Sequence, residues 1–142
     1  MSPIDELKTM LEHITGRALD NMESYGFHLP VTFAHSPDGE PIYLIAEPSE
    51  GVDLQACKSS VLDLTHQWIS QHKVRAVAFA TVVNITVAND DGGTSQTDAV
   101  KVLLDHVKQP GYAAFVTFQL SEGKATPGEI IYQELPQRFF KA

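Results

Sequence analysis

A chain of 142 residues with 43% apolar and 20% charged side chains has the composition of a folded protein, which excludes disorder and fits a single globular domain over residues 1–142. A formal charge of −8, a pI near 5.1 and ten scattered Lys and Arg argue against a nucleic-acid or anionic-membrane partner, because a phosphate-binding face needs clustered basic residues. The single cysteine, Cys57, rules out an internal disulfide or a multi-thiolate metal site within one chain.

The first residues show no basic segment followed by an apolar one, and no apolar run reaches membrane length, so no membrane span is expected and the cytoplasm is the default location. Ser2, Pro3 and Asp5 read as a helix start, with Ser2 as the cap, Pro3 at the first helical position and Asp5 as the reciprocal acid. Ile4, Leu7, Leu11, Ile14, Ala18, Met22 and Tyr25 then recur three and four apart, one apolar face of a helix of about six turns. Gly26 is placed to end it.

Residues 29–36 and 42–47 read as two strands of a hairpin turned by Pro37, Asp38 and Gly39, and Pro30 suggests an edge or an unpaired end. A second helix is expected from Val52 or Asp53 to His72, with Leu54, Cys57, Val61, Leu64 and Trp68 on its apolar face,. Cys57 sits among apolar positions and reads as a structural residue, and Trp68 reads as a core anchor.

Residues 74–89 hold no Gly, no Pro and no charge after Arg75. Their β-branched and aromatic content predicts a central strand of roughly 50 Å that bends or runs past its own sheet. Val77, Phe79, Thr81, Val83, Ile85 and Val87 form its bulky face, expected beneath the helices, and Ala76, Ala78 and Ala80 the small face opposite. The Gly-rich segment 89–96 is a hairpin loop, since Asp90 and Asp91 lack the alternating acids of a calcium loop,. Residues 97–107 fit strand and helical periods alike, and the flanking loops favour the strand. Residues 112–120 form a further strand, 121–129 a loop and 130–135 the last strand. Phe139 and Phe140 near the terminus need cover.

The expected order is α-β-β-α-β-β-β-β, a two-layer α+β domain whose antiparallel sheet carries both helices on one face. In size, charge and layout this resembles cytosolic secretion chaperones, with no shared motif and hence no functional weight. The uncovered face is too apolar for water and predicts a homodimer, formed through that face or through strand edges.

No phosphate loop, nucleophile elbow or paired metal-ligand spacing is present, so no catalytic residue, metal ligand or cofactor is assigned. His66 and His72 lie on different faces of their helix. His106 with Asp98 or Asp105, or His35 with Glu47, is where general-base chemistry would be sought. Asp98 is too far along the strand from His106, and Asp105 points to the other face.

Three readings follow. The first is a non-enzymatic, chaperone-like dimeric adaptor that binds a protein partner through apolar surface, with Ala78, Ala80, Phe139 and Phe140 among the interface candidates. The second is a small-ligand domain with a pocket between helices and sheet lined by Trp68, Phe79, Phe115 and Phe118. The third is a small enzyme built on a histidine–carboxylate pair.

Overall fold

Ser2 opens the first helix as its sequence indicates. Its hydroxyl accepts the Asp5 N–H at 3.2 Å and donates to the Asp5 carboxylate at 2.7 Å, a reciprocal cap that satisfies an otherwise orphaned donor. The computed structural model describes residues 2–25, 31–45, 54–72 and 74–134. The expected stop at Gly26, Pro30, the cap at Asp53, the carboxylate of Glu47 and the Phe139–Phe140 pair lie outside them.

The elements are α1 (Pro3–Tyr25), β1 (Val31–His35), β2 (Pro41–Ile45), α2 (Leu54–His72), β3 (Ala76–Ala88), β4 (Thr94–His106), β5 (Gln109–Ser121) and β6 (Lys124–Glu134). The strands form one sheet in the order β2-β1-β3-β4-β5-β6, and every neighbouring pair is antiparallel. The α+β class, the element order and the helix-backed antiparallel sheet are those the sequence indicates. The ambiguous segment 97–107 is strand, resolved by pairing on both sides with β3 and β5.

The placement of the helices differs from expectation. Leu7, Met10, Ile14 and Ala18 of α1 are fully buried in one cluster with Ala76, Ala78, Ala80, Val100, Val102 and Ala114. Val61 of α2 belongs to another cluster with Ala34, Val77, Phe79, Leu103 and Ala113, and the Thr65 hydroxyl meets that of Thr32 at 2.7 Å. Successive strand side chains point to opposite faces, so α1 and α2 take opposite sides of the sheet. The alanine face is therefore covered, and by α1. Three small residues along β3 let a helix carrying Leu, Met and Ile approach closely, where bulky residues on both partners would collide. Each fully buried Leu, Met or Ile contributes about 1.5–3 kcal/mol.

Strand boundaries also move: β4 already starts at Thr94, inside the segment 89–96 read as a loop. The chain turns at Val107-Lys108 and β5 resumes at Gln109. Pro110 and Gly111 fit inside it because the β4–β5 register shifts between Leu104 and His106, and such a bulge tolerates a residue without an N–H. The segment read as a loop, 121–129, is mostly strand. Glu122 and Gly123, with φ of 53° and 76°, make a tight two-residue turn of positive φ, and β6 starts at Lys124. Pro127 falls at a second register shift, opposite Val116 to Phe118, on the last strand of the sheet, the kind of place where a strand proline is tolerated.

The β3–β4 hairpin runs past the sheet. The last pairing of β1 to β3 is Val31 with Ala80, and the last of β5 to β4 is Phe118 with Asp98. Beyond them Ile85 to Ala88 pair only with Thr94 to Thr97, as the length of the apolar run suggested. At its tip the Asp91 carboxylate accepts the Gly93 N–H at 2.9 Å and the Asn89 side chain accepts the Ser95 hydroxyl at 2.9 Å: Asp91 and Asn89 shape a turn.

Candidate functional site

Antiparallel register sets His35, Ala76 and His106 in one row across β1, β3 and β4. Ala76 is small, and Glu6 from the first turn of α1 descends over it between the two imidazoles. Glu6 is 4% exposed. Its Oε2 accepts Nδ1–H of His35 at 2.5 Å and Nε–H of Arg75 at 2.8 Å, and its Oε1 accepts Nε2–H of His106 at 3.0 Å. Burial by itself raises the Glu6 pKa, but the bonds from His35, Arg75 and His106 and the Arg75 charge outweigh it, holding the carboxyl down at about 2,.

His106 is fixed in one tautomer by its second contact. The Lys108 N–H donates to Nδ1 at 3.0 Å, so Nδ1 carries no proton and Nε2 carries the one given to Glu6. Arg75 also donates to the Pro37 carbonyl at 3.1 Å. The carboxylate thus ties α1 to the ends of β1 and β4 and to the residue before β3. It lies at the wall of a cleft of about 390 Å³ bounded by Pro3, Pro37, Arg75, Val107 and Lys108. Both His106 nitrogens are engaged, and the arrangement pins the helix to the strand ends.

The carboxylate partner of both histidines is therefore Glu6. It is neither Asp98, which bonds the Asn84 amide at 3.2 Å, nor Asp105, whose Oδ1 accepts the backbone N–H of His106 at 3.0 Å. Among the described residues no group of three His, Cys, Asp or Glu is arranged to hold a metal, and no helix is long and apolar enough to cross a membrane.

A second cleft, of about 380 Å³, opens between α1 and the β5–β6 edge. Leu11 and Leu19 form its helix wall, Val116, Pro127, Ile130 and Tyr132 its sheet wall, and Lys8 and Glu12 stand with them at the helix side. Tyr112 braces Tyr132 edge-on, ring centroids 5.7 Å apart; burial and the neighbouring Tyr132 raise the Tyr112 pKa. Two features keep this cleft from being ordinary surface relief. The Thr15 hydroxyl in its wall is buried and has no hydrogen-bond partner among the described residues, a cost that folded proteins seldom leave standing. Gly16 beside it sits in mid-helix, and a Cβ built there meets nothing within 4 Å. A helix interior position is thus held by a poor helix former, and Gly16 lines the cleft,.

The residues singled out from the sequence are dispersed. Ala78 and Ala80 are fully buried beneath α1, as core and not as surface, and Phe118 is in the same core at 2% exposure. Phe79 is buried on the opposite face, with Phe115 packed beside it. Phe118 and Phe79 therefore cannot line one pocket. Trp68 lies in α2, and its side chain is outside the described residues. Thr15, Gly16, Ile130 and Tyr132 were missed. The mid-helix glycine was the available signal, together with apolar residues on both faces of the last strand.

Compared with family models, with curated proteins and with solved structures, the chain finds no match.

Proposed function

We propose that this protein is a non-catalytic binding domain that takes up a small, largely apolar molecule carrying one hydrogen-bonding group, in the cleft between α1 and the β5–β6 edge. The observation that carries the reading is the Thr15 hydroxyl, buried without a partner among the described residues in the wall of an apolar cleft beside Gly16. A ligand atom bonded to that hydroxyl would remove its desolvation cost, and apolar walls with few convergent polar groups are what small-molecule sites have. The volume suits a compact ligand,. An adaptor acting through the alanine face loses its support, since that face is roofed by α1.

Titration with 1-anilinonaphthalene-8-sulfonate tests the reading, alongside native mass spectrometry of protein isolated without denaturation. Gly16→Leu should fill the cleft and lower dye affinity at least tenfold, with Gly16→Ala near the unaltered protein. Equal dye binding by Gly16→Leu, with its fold intact by circular dichroism, would refute the cleft as the site.

A further inference from the structure

The two edges of the sheet are unlike. β2 is five residues long and begins with Pro41, which makes it a poor template for another strand. β6 is eleven residues long, and all but Ala125 are exposed. Its second half places Ile130, Ile131 and Tyr132 in a row at 46%, 39% and 60% exposure, beyond Pro127 and the register shift. Charge, proline and irregularity are the usual defences of an edge strand, and between Glu129 and Glu134 there is none.

We propose that β6 pairs antiparallel with β6 of a second copy of this chain, over residues 128–134 with Ile131 on the two-fold axis, joining the two sheets into one. The register follows from the side chains. With Ile131 on the axis, Ile131 faces Ile131, Ile130 faces Tyr132, Glu129 faces Gln133 and Gly128 faces Glu134; no like charges oppose each other, and Pro127 stays outside the paired span. Glu129 on the axis would oppose two carboxylates. Ile130 on the axis would set Glu129 against Ile131 and draw Pro127 into the ladder. Tyr132 on the axis would set Ile130 against Glu134 and shorten the pairing to 130–134. A two-fold contact also closes: both copies use the same edge, so that edge is consumed and the assembly stops at two.

The pairing does not depend on a ligand in the cleft, but it alters the cleft's surroundings. Ile130 and Tyr132 point to the α1 face and line it, and the second copy brings its own Tyr132 beside Ile130. The rim of each cleft is then shared between subunits.

Analytical ultracentrifugation and cysteine trapping test the proposal on the full chain. The unaltered protein should sediment as a dimer at 20 µM, and Ile131→Lys, which sets two like charges face to face on the axis, should raise the dimer dissociation constant at least tenfold with an unchanged circular dichroism spectrum. In air, Ile131→Cys should crosslink to itself at least tenfold faster than Ile130→Cys, whose opposite residue is Tyr132. The unaltered chain, which carries Cys57, is the control. A monomer throughout 1–100 µM, or equal crosslinking by the two cysteine variants, overturns it. Because dye uptake by a monomeric Ile131→Lys protein is measured separately, loss of the dimer and loss of the cleft site are distinguishable.

Discussion

Glu6 in the first turn of α1 accepts a hydrogen bond of 3.0 Å from Nε2 of His106, which lies one hundred positions later at the end of β4. The contact closes a loop of one hundred residues and sets the helix at a fixed height over Ala76. With His35 and Arg75 on its other oxygen, Glu6 is a saturated buried carboxylate, and breaking such a group is costlier than never having built it.

Acid stability should report this directly. The Glu6 pKa is lowered from 4.5 to about 2 in the folded protein, so its contribution is present in full above pH 4.5 and is lost as pH falls towards 2. The shift corresponds to about 3 kcal/mol. Urea unfolding at a series of pH values should show stability falling across that window, with a visibly flatter profile in Glu6→Gln.

At neutral pH the same Glu6→Gln substitution should cost about 3 kcal/mol, since an amide cannot accept all three donors and Arg75 loses its counter-charge. A midpoint in urea within error of the unaltered protein would mean that the cluster adds nothing to stability.

Gly16→Ala should stabilise. The position is mid-helix with open space at Cβ, so the gain is about 0.5–1 kcal/mol, or about 3 °C in Tm by calorimetry. A lower Tm would place something in that space.

Ala78→Glu separates a core residue from an interface residue. Ala78 is fully buried under α1, so the substitution should unfold the protein or cost more than about 3 kcal/mol. A folded, soluble variant altered only in subunit number would return Ala78 to the surface.

Gly111→Ala should be nearly as damaging. A Cβ there would lie 1.8 Å from the Leu104 carbonyl oxygen, where the strands close around the β4–β5 register shift, and the backbone of both would have to part. A loss above about 2 kcal/mol in urea is expected.

Much of this architecture is local and so was legible in the sequence. Ser2 and Asp5 announced the helix start because a cap needs only four consecutive residues. The period of α1, the β1–β2 turn at Pro37 to Gly39 and the overlong β3 are likewise decided by neighbours in the chain. The last strand was cut short because Pro127 and Gly128 are turn residues by composition; at an edge with a shifted register they remain in a strand.

What residue order could not decide is which faces meet. Alternation along β3 separates the alanines from Val77 and Phe79, but either row can lie under a helix, and the choice depends on the volumes α1 and α2 bring to it. Nor could spacing find Glu6 for His35 and His106, because antiparallel register across three strands aligns the histidines and the height of a helix delivers the carboxylate. The same holds for the cleft. Thr15 is unremarkable as one hydroxyl in a helix, and only the packing of α1 against the β5–β6 edge buries it in the wall of a cleft. Local rules fix what each segment is; the contest among packed volumes and buried charges fixes where it sits.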